Sequence, residues 1–193
     1  MEQSLNLYNF LNTLCEVSQD DFERSKTYFK QKTLKKGEVW VDFGEICNEM
    51  AYINSGLLQS SYINDRGNII TTCFCASNSM ASSFKSFISQ SQSDIELKAI
   101  EDTELFITDY EKLQKLYQEA PVWERIGRIL VEKEFISLWD YANSLNSDQA
   151  KERYLRLLEN QPEVITKAPV QDIASYLGIT RETLSRIRKK LIQ

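Results

Sequence analysis

The stretch Val170–Leu191, VQDIASYLGITRETLSRIRKKL, decides how the rest of the chain is read. Its pattern predicts two short helices joined at Gly178. Helices that cross closely need a small residue at the crossing, and Ala174 supplies it in the first helix. A sharp turn after Leu177 favours a residue that tolerates positive φ, which is Gly178. Ile173, Leu177, Ile179, Leu184 and Ile187 fall at the spacings that fill the wedge between the helices. Thr180 is a good N-cap for the second helix. Glu182 places negative charge in its first turn, where the macrodipole favours it. These features together predict a helix-turn-helix. An ordinary helical hairpin would share the apolar spacing but seldom loads one exposed face with arginine.

That face defines the candidate chemistry. Arg181, Glu182, Ser185 and Arg186 lie off the apolar side of the second helix. An arginine donates twice to one guanine and a glutamate accepts from cytosine, each pair discriminating by about 1–3 kcal/mol. Arg188, Lys189 and Lys190 follow and suit phosphates, which add affinity without sequence choice. With Thr180 at the helix start, the candidate DNA-binding set is Thr180, Arg181, Glu182, Ser185, Arg186, Arg188, Lys189 and Lys190. From Lys151 onward nine basic residues stand against five acidic ones, which leaves +4. The formal net charge is -5, so the first 150 residues carry about -9 by difference. A basic end on an acidic body suits a polyanion met by one end only. The alternative on charge alone is a solvated helical face.

The composition excludes several other classes. The chain has 193 residues, 42% hydrophobic and 26% charged, with no histidine. Histidine bases, Ser-His-Asp triads and histidine metal sites are therefore impossible. No nucleophile–base set appears, so an enzyme is not expected. Cys15, Cys47, Cys73 and Cys75 are few and unevenly spaced, which predicts free thiols. Cys73 and Cys75 share a strand face, but no second pair matches them, so core or surface thiols are expected rather than a metal centre. No cofactor is expected: a haem pocket would also want an axial ligand such as histidine. No run of about 18 apolar residues suggests a membrane span. MEQSLNLYNF lacks a secretion-signal build, so a cytoplasmic location is expected.

Upstream, glycines punctuate a β block. EVWVDF lies between Gly37 and Gly44, MAYINSG ends at Gly56, and LLQSSYI runs into the turn NDRGN before IITTCFCA. Two further strands are predicted at Ile95–Ile100 and Glu104–Thr108. This spacing indicates an antiparallel β domain. Before it, Leu7, Phe10, Leu11 and Leu14 share a helical face, and a second helix starts near Ser18. After it, DYEKLQKLYQEA is a short helix ended by Pro121. A long helix then starts at Pro121. Trp123, Ile126, Leu130, Ile136, Trp139 and Leu145 form one apolar face, and Val131, Phe135, Leu138 and Ala142 a second. One face can cover the β domain. The other needs a partner, most simply the same helix of a second chain, or else a place central to one monomer. A new helix is expected from Ser147 or Asp148 to before Pro162.

TRETLSRIRKKL after IASYLGI resembles the DNA-binding end of the Crp/Fnr transcription regulators, the cyclic-AMP receptor protein-like group. Its short ending is similar to a short-tailed, Bacteroidetes-type branch. LKKGEVWVDFGEICNEMAYINSGLLQSSYINDRGNIITTCF resembles that family's β-roll. The resemblance implies an α+β chain: a cyclic-nucleotide-binding-like β-roll sensor domain over 1–120, a dimerisation helix over 121–146, and a helix-turn-helix DNA-binding domain over 147–193, winged-helix-like without the terminal wing. It implies base reading by Arg181, Glu182 and Arg186. The implied partners are double-stranded DNA with a palindromic operator, a second copy in a homodimer, RNA polymerase and a small-molecule effector of unknown identity. In cyclic-nucleotide binders a Phe-Gly-Glu segment and a later arginine hold the ligand. Here that region reads NSMASSFKSFISQSQSDIELKA, without glycine or arginine, and Ser93 or Asp94 falls where the arginine would be. Cyclic AMP is therefore not the expected effector. The rival reading is a small-molecule-binding or protein-interaction module whose helical hairpin only packs.

Overall fold

The computed structural model describes residues 2–192, with side chains over 5–191. Helices α1 (Glu2–Leu14) and α2 (Gln19–Ser25) come first. Ser18 caps α2 by accepting from the Asp21 N–H at 3.1 Å. Strands β1 (Lys30–Leu34), β2 (Val39–Val41), β3 (Glu49–Ser55), β4 (Leu57–Ile63), β5 (Ile69–Ala76) and β6 (Met80–Ala81) follow. After helix α3 (Phe84–Ser89) come β7 (Ile95–Ala99) and β8 (Thr103–Asp109). They form two four-stranded sheets, ordered β1-β8-β3-β6 and β2-β7-β4-β5, with antiparallel pairing throughout. This is the antiparallel β domain that the glycine spacing predicts, folded as the β-roll that the resemblance implies.

The roll closes on Tyr52, Ile53, Leu58, Leu97, Leu105 and Ile107, all of them buried. Leu7 and Leu11 of α1 are buried in the same core, with Phe10 and Leu14 packed at its edge. Burying each such side chain stabilises the fold by about 1.5–3 kcal/mol. Between β3 and β4 the chain turns at Gly56, with φ +107°. A Cβ there would lie 2.4 Å from Thr103 Oγ1 and 2.6 Å from Thr103 Cα. The second atom is backbone and cannot swing away. Gly56→Ala is therefore expected to cost about 3 kcal/mol, read as a lower urea midpoint at unchanged slope.

Helices α4 (Tyr110–Glu119), α5 (Pro121–Ser147), α6 (Ala150–Asn160), α7 (Pro162–Lys167), α8 (Val170–Tyr176) and α9 (Arg181–Ile192) complete the chain. Three details differ from the sequence pattern. Helix α5 runs through Ser147 with Asp148 as its C-cap, and α6 starts only at Ala150 behind a Gln149–Glu152 capping box. Strands β1 and β6 and helices α3 and α7 carry no clear periodic signal. β1 reads KQKTL and buries only Leu34, because it is an edge strand. The long helix covers the roll over its first half alone. Trp123 and Ile126 are buried in the roll core. Ile136 and Trp139, expected on the same covering face, are 57% and 61% exposed.

A second core joins the two ends of the chain. Leu57, Phe74 and Ile100 of the roll pack with Tyr154, Leu157, Val164, Ile173, Ala174, Leu177 and Leu184. The C-terminal helices thus dock on the outer side of β5, where Phe74 meets Tyr176 edge-on at 5.5 Å.

Candidate nucleic-acid interface

Helices α8 and α9 are set by the turn between them. Gly178 has φ +65°, its N–H donates to Ser175 O at 3.0 Å, and the Ile179 N–H donates to Ala174 O at 3.0 Å. These bonds satisfy carbonyls that the end of α8 would otherwise leave open. A Cβ on Gly178 would come 3.4 Å from Leu145 of α5, so the turn also abuts the long helix. Thr180 caps α9 by accepting from the Thr183 N–H at 3.3 Å. Ile173, Ala174, Leu177 and Leu184 are buried between the helices, with Ile179 and Ile187 packed at the rim. The inward face of α9 is thereby locked.

The outward face is open to solvent. Thr180, Arg181, Glu182, Ser185, Arg186, Lys189 and Lys190 are all exposed. Among the described residues Arg186 bonds within its own helix, to Glu182 O at 3.4 Å and Thr183 Oγ1 at 3.1 Å. Glu182 titrates below the ordinary glutamate range. Its own backbone N–H and the Thr180 hydroxyl hold the carboxylate, with Arg181 and Arg186 adding attraction. It is thus an ionised acceptor at neutral pH, flanked by two guanidinium donors.

Arg188 departs from the set. Its guanidinium lies over the Tyr154 ring, 5.7 Å from the centroid, and its Nε and Nη2 are closed to solvent without a hydrogen-bond partner among the described residues. In this conformation it packs on α6 instead of projecting with Lys189 and Lys190. A helix face turns by about 100° per residue, so three consecutive basic residues cannot all face one way.

Residues that the sequence pattern does not single out hold this unit in place. Arg153 of α6 donates to Leu177 O at 3.1 and 2.9 Å, to Ser144 O at 3.2 Å and to Asp148 O at 2.5 Å. One guanidinium therefore ties the helix-turn-helix turn to the end of α5. The Tyr141 hydroxyl of α5 donates to Tyr176 O at 2.9 Å, and the two rings stack at 5.1 Å. The Thr71 N–H of β5 donates to Ser175 Oγ at 3.0 Å, and Lys167 pairs with Glu101 at 2.7 Å.

A match to a family model marks this segment: residues 170–193 fit the bacterial regulatory proteins of the Crp family. Solved structures extend the likeness to most of the chain. The c-di-GMP responsive global regulator CLP of Xanthomonas campestris superposes with a TM-score of 0.70 at 21% identity, over 90% of this chain and 91% of that one. FixK2 of Bradyrhizobium japonicum gives 0.72 at 20% identity, over 84% of each chain. The catabolite activator protein of Thermus thermophilus gives 0.61 at 17% identity, over 95% of this chain and 86% of that one. No curated protein sequence matches. The chain has the Crp/Fnr fold and ends in a Crp-family segment.

Within this Crp/Fnr frame the roll's ligand region has its own chemistry. Ser93 is buried and shares a hydrogen bond with Ser83 at 2.8 Å, while its hydroxyl also donates to Ile95 O at 2.7 Å. Lys85, which no sequence signal placed, pairs with Asp94 at 2.6 Å. That hydrogen bond holds Asp94 below the usual carboxylate range, with the lysine charge adding to it. A neutral hydroxyl pair and a lysine paired with Asp94 stand in the region where the resemblance implies a phosphate clamp. All four cysteines are free thiols, Cys15 and Cys47 buried, and Cys73 Sγ lies 3.8 Å from Cys75 Sγ. Among the described residues no cluster of three or more metal-ligating side chains occurs, and no helix is long and apolar enough to cross a membrane.

The second half of α5 bears an uncovered apolar stripe. Val131, Phe135, Leu138 and Trp139 are 47%, 66%, 57% and 61% exposed, and the Phe135 and Trp139 rings stack at 6.5 Å. A run of exposed large apolar side chains of this kind forms a patch of the sort that marks an interaction surface.

Proposed function

We propose that the chain is a sequence-specific DNA-binding transcription regulator of the Crp/Fnr type that binds a palindromic operator as a homodimer. Residues 1–120 serve as the sensor, 121–146 as the dimer helix and 147–193 as the DNA-binding domain. The observation that carries the reading is α9: its apolar face is locked in the second core while Arg181, Glu182, Ser185 and Arg186 stand in solvent. These four read base edges in the major groove. Thr180, Lys189 and Lys190 meet phosphates, and Arg188 joins them on leaving Tyr154. The apolar stripe of α5 pairs with its copy and sets the two α9 helices about 34 Å apart, one turn of duplex. The machinery acted upon is RNA polymerase, in the cytoplasm, under an effector other than cyclic AMP.

The salt dependence of duplex binding tests the reading. Phosphate neutralisation by lysines and arginines releases counterions, so affinity falls linearly on a log–log plot with a slope of about -0.9 per phosphate contacted. Two protomers with the contacts above predict a slope of about -4 or steeper. A flat salt response, or no duplex binding at low salt, would favour a helical hairpin that only packs.

A further inference from the structure

The roll, α5 and the C-terminal helices line a half-open cavity of about 590 Å³. Its lining is mostly apolar, with Cys75 and Leu97 from the roll, Phe84 from α3, Leu138 and Tyr141 from α5, and Tyr176 from α8. A volume of this size suits a drug-sized molecule. The charged groups on its wall are Lys85, Asp94, Glu134 and Glu163. Lys85 is already paired with Asp94 at 2.6 Å. Glu134 has no ion-pair partner among the described residues, and burial pushes its carboxyl above the ordinary glutamate range. An anion entering here would face the Glu134 and Glu163 carboxylates, while the lysine on the wall, Lys85, is held by Asp94, so among the described lining residues negative charge outweighs positive.

We propose that this cavity binds a mostly apolar small molecule that carries no negative charge and offers a hydrogen-bond donor to Glu134. The proposal rests on the sensor reading above and deepens it by naming the ligand class. Its occupant touches Tyr141 and Tyr176 at once, the stacked pair that links α5 to the first helix of the helix-turn-helix. Occupancy therefore acts directly on the seat of the helix-turn-helix, through α8, Arg153 and the turn at Gly178.

Two dyes with one skeleton test the charge rule on the full chain. N-phenyl-1-naphthylamine is neutral and carries an N–H donor. 8-Anilino-1-naphthalenesulfonate adds only a sulfonate. The neutral dye is expected to saturate one site per chain and to bind at least about tenfold tighter than the sulfonate. Cyclic AMP at micromolar concentration is expected to leave the melting temperature unchanged. Ser137 is exposed on α5 and lines the cavity, so Ser137→Trp fills it without disturbing a core, and neutral-dye binding should vanish while circular dichroism holds. Asp94→Asn frees Lys85 and is expected to strengthen sulfonate binding several-fold, a second variant independent of the first. Equal or tighter binding of the sulfonate, stabilisation by cyclic AMP, or unchanged neutral-dye binding in Ser137→Trp overturns the proposal. Duplex binding is measured separately: its loss would undo the regulator reading yet leave the ratio of the two dyes as it stands.

Discussion

Phe135→Glu combined with Trp139→Glu is expected to yield a monomer whose duplex affinity is at least about a hundredfold below that of the parent chain. Both side chains project from the second half of α5, 66% and 61% exposed, and are members of neither core. Glutamate is a strong helix former, so the helix itself survives. The seam does not. Two carboxylates placed opposite their copies in an apolar interface repel and lose hydration. With the protomers apart, each recognition helix binds its half-site alone and the gain from tethering two sites disappears. Sedimentation equilibrium reads the mass and fluorescence anisotropy the affinity. A variant that stays dimeric with unchanged duplex binding would remove α5 from the interface. A parent chain already monomeric at micromolar concentration would do the same.

The second large effect concerns the face of α9. Arg181→Ala is expected to cost about 1–3 kcal/mol against the preferred sequence and to relax base choice at one position of each half-site. Lys189→Ala should weaken every duplex alike and make the salt slope shallower by about 1 per protomer. Both side chains are exposed, and among the described residues neither bonds to another element, so neither change should move the unfolding midpoint. Competition with specific and scrambled duplexes separates the two outcomes. Equal losses on both duplexes for Arg181→Ala would make Arg181 a phosphate contact rather than a base reader.

The sequence made the helix-turn-helix legible because its constraints are local. A wedge of five apolar side chains, a small residue and a glycine with positive φ all fall within residues 173–187. The antiparallel β domain is readable for a similar reason, since turns punctuate it. The placement of one unit on the other is not. Phe74 sits in a strand with cysteines on either side, and nothing in IITTCFCA says that Phe74 faces a second core while Cys75 packs against the first. Arg153 looks like an ordinary basic residue on a polar helix face, yet it binds carbonyls of Ser144, Asp148 and Leu177. Contacts between distant segments leave no periodic trace. Arg188 shows the converse: a run of basic residues reads as one patch, although in this conformation one of them lies over Tyr154.

Selection of bound sequences from a random duplex library tests the central claim most directly. The account predicts a palindromic consensus whose half-sites are centred about one helical turn apart, with guanine or cytosine favoured where Arg181, Glu182 and Arg186 approach. Recovery of unenriched sequences, or of a single half-site without symmetry, would contradict it.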